Sequence, residues 1–197
     1  FDSVPGGTPE ITVKGNGASP VFTVSAINFN LDPIIVDAGG GSYGLSASGP
    51  AASGLIVDGN TFINSTVAGV YVGGPIGGTA TIKNNIFEAS ATSGVQIGAR
   101  TSGVVDSFGN DMGTGVGSRV VHAVNISDVT TGISGGADVN IYDNDMFTSD
   151  DSIYAEGDIT GAGTTLLIAG NRIDSGEEAV DLDFVTAAAE RLPFEGQ

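Results

Sequence analysis

Val57-Asp58-Gly59-Asn60-Thr61-Phe62 returns 25 residues later as Ile82-Lys83-Asn84-Asn85-Ile86-Phe87, and this recurrence decides how the chain folds. Three further copies follow: Ser107-Phe108-Gly109-Asn110-Asp111-Met112, Ile141-Tyr142-Asp143-Asn144-Asp145-Met146 and Ile168-Ala169-Gly170-Asn171-Arg172-Ile173. In every copy a large apolar side chain stands two residues after the Asn. The Asn residues at 60, 85, 110, 144 and 171 are spaced by 25, 25, 34 and 27. Such a period signals a solenoid, in which each unit buries its apolar face only against its neighbours.

Shortly after each Asn comes a β-type phrase: Gly69-Val70-Tyr71-Val72, Gly94-Val95-Gln96-Ile97, Val120-Val121-His122-Ala123, Ser152-Ile153-Tyr154-Ala155 and Ala179-Val180-Asp181-Leu182. Val70 and Val72 alternate with Tyr71, and Val95 and Ile97 with Gln96, the period of a strand with one buried face. Strands that stack on their own successors run parallel, and the residues between them form corners instead of hairpins. An Asn suits such a corner. It tolerates the left-handed backbone conformation, and stacked Asn amides can bond one another along the axis. Losing one such bond, at Asn85→Ala for example, suggests a cost of about 1 kcal/mol.

These residues resemble the right-handed parallel β-helix superfamily, the pectin-lyase-like fold, in its bacterial secreted or surface form. Coils of that fold carry the same Asn-x-apolar turn followed by Gly-Ile-x-Val-like strands. The resemblance runs from about residue 54 to 184 and implies an all-β, single-stranded right-handed parallel β-helix of about 6–8 coils with a short C-terminal helix. It implies no single activity, because that fold carries lyases, hydrolases, epimerases, phage spikes and passive adhesins alike.

A length of 197 residues with 40% hydrophobic content fits one domain, 1–197. Residues 1–53 read as irregular N-terminal coils, with Asn30 in the corner place, and 54–184 as regular coils. Residues 185–197 read as a cap or linker, with Thr186 opening a short helix to Leu192 that Pro193 ends. About nine surplus residues between Asn110 and Asn144 are expected as one excursion within Asn125 to Gly136. A start at Phe1 with no signal-like segment leads to the expectation of a processed product or part of a larger chain.

Charge narrows the partners. With 23 acidic and 6 basic residues the net charge is −17, which repels nucleic acid and anionic membrane surfaces. No run of 18 apolar residues offers membrane insertion. The absence of Cys excludes disulfides and thiol chemistry. The expected location is extracellular or at the cell surface. Fourteen of the 23 acids lie between Asp138 and Glu195. Among them Asp143, Asp145, Asp150, Asp151, Asp174, Glu177 and Glu178 are candidate ligands for Ca²⁺, a hard cation that prefers oxygen; no other cofactor is indicated.

Aligning the strand phrases gives an outward column of Tyr71, Gln96, His122, Tyr154 and Asp181, whose aromatic faces and hydrogen-bonding neighbours suit a neutral glycan. Asp150-Asp151 looks like the paired aspartates of the polygalacturonase branch of the fold, and with His122 supplies the weak catalytic candidates. The later Gly-His-Gly and Arg-Ile-Lys companions of that branch are missing, and Arg172-Ile173 is followed by Asp174. The sequence therefore leans away from an enzyme. It suggests a structural or adhesive β-helix that binds glycan along one face or docks head to tail on itself. The alternative is a polysaccharide-active lyase, epimerase or hydrolase.

Overall fold

In the computed structural model, residues 11–88, 92–98, 102–113, 119–127, 136–156 and 164–183 are described. Their strands form three parallel sheets. Sheet A stacks Thr12–Lys14, Ile35–Asp37, Thr61–Ile63, Ile86–Glu88, Asp111–Met112, Asp145–Phe147 and Arg172–Asp174. Sheet B stacks Phe22–Val24, Tyr43–Ser48, Ala68–Gly73, Ser93–Ile97, His122–Ser127, Ile153–Glu156 and Val180–Asp183. Sheet C stacks Asn30–Leu31, Ile56–Asp58, Thr79–Lys83, Val104–Phe108, Asp138–Tyr142 and Thr165–Ala169. The chain visits A, B and C in turn and pairs each strand with its successor one turn on. The described residues thus make a parallel β-solenoid of about six turns. Their one helical element is the 3-10 turn Gly49–Ala52, with Pro50 in its first positions. The segment expected as a C-terminal helix lies outside the described residues.

The core is a set of columns. In sheet A, Val36, Phe62, Phe87, Met112 and Met146 stand in register and are sealed from solvent. The Phe62 and Phe87 rings stack 5.2 Å apart at 10°. Sheet B faces them with Leu45, Val70, Val95, Val124 and Ile153. Glycine in the Gly-Val-x-Val phrase is required by those rings. A Cβ on Gly69 would collide with Phe87 Cδ1, and one on Gly44 would stand 2.5 Å from Phe62 Cδ1. A close-packed interior has no slack to absorb that.

At the corner between sheets C and A the Asn side chains form a ladder. Each of Asn60, Asn85, Asn110 and Asn144 donates its backbone N–H to the Oδ1 of the next Asn, at 2.9 to 3.0 Å. Each side-chain Nδ2 also bonds that oxygen, and further reaches Leu31, Val57, Ile82 and Ser107 carbonyls respectively. The left-handed residue is the one before the ladder Asn. Gly59, Asn84, Gly109, Asp143 and Gly170 have φ of 70, 54, 62, 53 and 64°, whereas no ladder Asn has positive φ. Small or turn-forming residues in that place therefore have a steric cause.

Two expectations are corrected. The corner place in the second turn belongs to Ile34, whose N–H donates to Asn60 Oδ1 at 3.1 Å. Asn30 instead pairs with Ile56 in sheet C and bonds Asp32 through its side chain. Backbone N–H alone suffices to start the ladder, so no Asn is needed there. The surplus between Asn110 and Asn144 is also not one excursion. Asn110 to Val124 spans 14 positions against 10 from Asn85 to Val95, and Ile126 to Val139 spans 13 against 8 from Ile97 to Val105. Insertions fall at two corners because strand register, held by the stacked columns, cannot absorb them.

Candidate functional site

The outer face of sheet B carries the glycan candidates, with one exchange. Its column reads Ser46, Tyr71, Gln96, Asn125, Tyr154 and Asp181. His122 does not occupy it: the strand enters three residues later than expected, so that Ala123-Val124-Asn125-Ile126 matches Gly69-Val70-Tyr71-Val72 and His122 aligns with Ser93. Both readings satisfy the alternation of apolar residues, and the longer preceding corner decides between them. Val120 is left to bridge Thr148 at that corner.

The displaced imidazole still reaches the face. His122 stacks on Tyr154 with ring centroids 5.0 Å apart. Two turns before Gln96, Tyr43 packs against Tyr71 at 5.2 Å. The Tyr71 hydroxyl lies over Gly73 and Gly98, where a Cβ on Gly98 would stand 2.6 Å from it, so the ring is laid along the sheet. Burial, then the neighbouring Tyr71, pushes the Tyr43 phenol above its ordinary pKa. Tyr43 was missed in the sequence, although Gly44-Leu45-Ser46-Ala47 repeats the strand phrase one period before Gly69. Two aromatic pairs thus flank Gln96 and Asn125, and Tyr71 and Tyr154 stand three rungs, about 14 Å, apart. Asn125 is 8% exposed, and its Oδ1 has no hydrogen-bond partner among the described residues.

The acidic candidates separate. Asp143 lies at the corner between sheets C and A and Asp145 opens the sheet A strand that follows, while Asp150 and Asp151 lie beyond that strand at the corner between A and B. Asp145 is clamped by Arg172 through Nε and Nη2 at 2.8 and 2.9 Å. This bond raises the Arg172 pKa further above its usual value. Asp174 pairs with Arg119 at 3.3 Å, and Arg119 also donates to the Thr148 carbonyl at 2.8 Å. What remains together is Asp150, Asp151 and Glu177, whose carboxylate oxygens lie within 4.8 Å of one another. Glu178 contributes its backbone N–H, donated to Asp151 Oδ1 at 3.0 Å. His122 Nδ1 lies 3.1 Å from the Asp151 carbonyl oxygen; a carbonyl can only accept, so Nδ1 carries the proton. His122, distant in the sequence, is thus brought against the backbone of the adjacent pair Asp150-Asp151.

No family model matches this chain, and comparison with curated proteins and with solved structures finds no match. Among the described residues no helix is long and apolar enough to cross a membrane.

Two exposed turns carry a second charged pattern. Asn64 donates to Asp37 at 2.9 Å beside Lys14, and Asn84 donates to Asp58 at 2.9 Å beside Lys83. The bond from Asn84, aided by Lys83, holds the Asp58 carboxyl below its ordinary pKa, and that from Asn64 does the same for Asp37. A depressed carboxylate stabilises the fold above its unfolded pKa, about 3.9, and loses that contribution as pH falls through its folded value. Asn84→Gly removes the donor without backbone strain, since three other turns carry Gly in this place. We expect the variant to be less stable than the wild type at pH 6 and the difference to shrink as melting is followed down to about pH 2. A difference that stays constant with pH would remove the charged bond from the account.

Proposed function

We propose that this chain is a non-catalytic β-solenoid module of the extracellular or cell-surface kind, holding a neutral polysaccharide along the outer face of sheet B. The supporting observation is the pair of aromatic clusters, Tyr43 with Tyr71 and His122 with Tyr154, of which Tyr71 and Tyr154 stand three rungs apart on one column. Sugar rings present apolar C–H faces to aromatic rings. A chain lying parallel to the solenoid axis meets side chains at a repeat of about 4.8 Å. Neutral substrates fit a molecule of net charge −17, which repels polyuronates.

Calorimetric titration with neutral hexose oligosaccharides long enough to span both clusters tests this. Tyr71→Ala and Tyr154→Ala should each weaken binding by about 1 kcal/mol, roughly fivefold, while leaving melting nearly unchanged because both rings sit outside the core. Absence of binding to every neutral oligosaccharide tried would sink the reading. One observation favours the enzymatic alternative, the meeting of Asp150, Asp151 and Glu177 carboxylates at a corner where His122 bonds the Asp151 backbone carbonyl. New reducing ends in the same mixtures, lost in Asp150→Asn, would move the assignment to hydrolysis.

Ca²⁺ belongs to the same proposal, at Asp150, Asp151 and Glu177. An ion bound only to the folded chain adds stability by mass action. CaCl₂ should raise the melting temperature more than NaCl of equal ionic strength, and Glu177→Gln should erase the excess. If the two salts act identically, screening of the net negative charge accounts for the effect.

A further inference from the structure

The sequence holds two Asn-x-Ser/Thr triplets, Asn64-Ser65-Thr66 and Asn125-Ile126-Ser127. The fold treats them in opposite ways. Asn64 is exposed at the corner between sheets A and B, in a left-handed conformation at φ 59°, with its side-chain amide on Asp37 at the end of the neighbouring sheet A strand. It borders an open cleft of about 480 Å³ shared with Lys14, Asp37, Gly39, Gly40 and Thr66. Asn125 lies within a strand of sheet B, 8% exposed, with Gln96 and Tyr154 in register on either side.

We propose that Asn64 is an acceptor for N-linked glycosylation and that Asn125 is not. The donor is an oligosaccharide linked through a pyrophosphate to a polyprenol. The sugar C1–O bond to phosphate breaks as C1 bonds to Asn64 Nδ2. The amide gives up one proton to the transferase, and the lipid pyrophosphate leaves with the electron pair. The product amide keeps one N–H, one donor for the Asp37 Oδ1 that Asn64 bonds at 2.9 Å. Thr66 Oγ1 is held by the Gly41 carbonyl at 3.2 Å and Ser65 is buried. Transfer therefore precedes closure of this corner, and the folded coil must then accommodate the sugar. At Asn64 the cleft and solvent receive it. At Asn125 a hexosamine would have to fit between rungs about 4.8 Å apart, which would break the column.

The inference rests on export of the chain and is independent of what sheet B binds. The whole chain, secreted from a eukaryotic cell that N-glycosylates its exports, is mapped by peptide mass spectrometry after amidase release, which converts a glycosylated Asn to Asp. The expected result is one glycan, at Asn64, on material that melts together with the same chain made in a cell that does not N-glycosylate. Thr66→Val should lose the glycan, whereas Thr66→Ser and Ser127→Ala should keep it. Unmodified Asn64, a glycan on Asn125 in folded protein, or retention of the chain inside the cell each overturns the proposal. Oligosaccharide titration of unglycosylated Thr66→Val tests the sheet B reading separately.

Discussion

Phe87→Ala is expected to cost about 3–5 kcal/mol, because it removes a sealed ring from the middle of a column and leaves a cavity that stacked coils cannot close. Phe87 is wholly buried, stacks on Phe62 at 5.2 Å and stands against the α-carbon of Gly69. Collapse would need strands on both sides to shift together, and their register is held by every other column. Denaturant midpoints at constant slope measure the loss. A neutral substitution would mean that the inward assignment, and with it the register of sheet A, is wrong.

Asn85→Ala should cost about 3 kcal/mol, well beyond the value of one turn bond. Asn85 Oδ1 accepts from both the backbone N–H and the Nδ2 of Asn60, at 2.9 and 3.2 Å, while its own Nδ2 serves the Val57 carbonyl. All of this lies out of contact with water, so truncation takes their partner from the Asn60 N–H and the Val57 carbonyl of the neighbouring coil. Asn171→Ala provides the comparison. Asn171 bonds Asn144 and Ile141 in the same way but is only half-buried, so water can replace part of what is lost and the cost should be smaller. Equal costs at the two positions, read from thermal or denaturant unfolding, would contradict an energetic role for ladder burial.

The ladder shows how far the sequence could be read. That Asn60, Asn85, Asn110, Asn144 and Asn171 would stack at one corner was legible, since an identical residue at an identical place in each repeat must meet its own copy. Its strength was not, because a single period reveals one bond per Asn, whereas three or four groups from adjacent turns converge on each amide. The reason for Gly69 was equally hidden. Only the placement of Phe87 across the interior makes a Cβ at Gly69 impossible.

By itself the sequence determined the parallel solenoid, its corner Asn residues, and which side chains of Phe62, Val70, Phe87 and Val95 face inward. These depend on a short repeat meeting itself one turn later, and a repeat states its own neighbours. Tertiary structure alone decided that Asn125 and not His122 takes the column place, and that His122 nevertheless stacks on Tyr154. It also decided that Asp150 and Asp151 meet Glu177 but not Asp143 or Asp145, and that Ile34 starts the ladder. Those outcomes turn on corner lengths, which vary from coil to coil while the stacked strands hold their register. A period records the strands and is silent about the path between them.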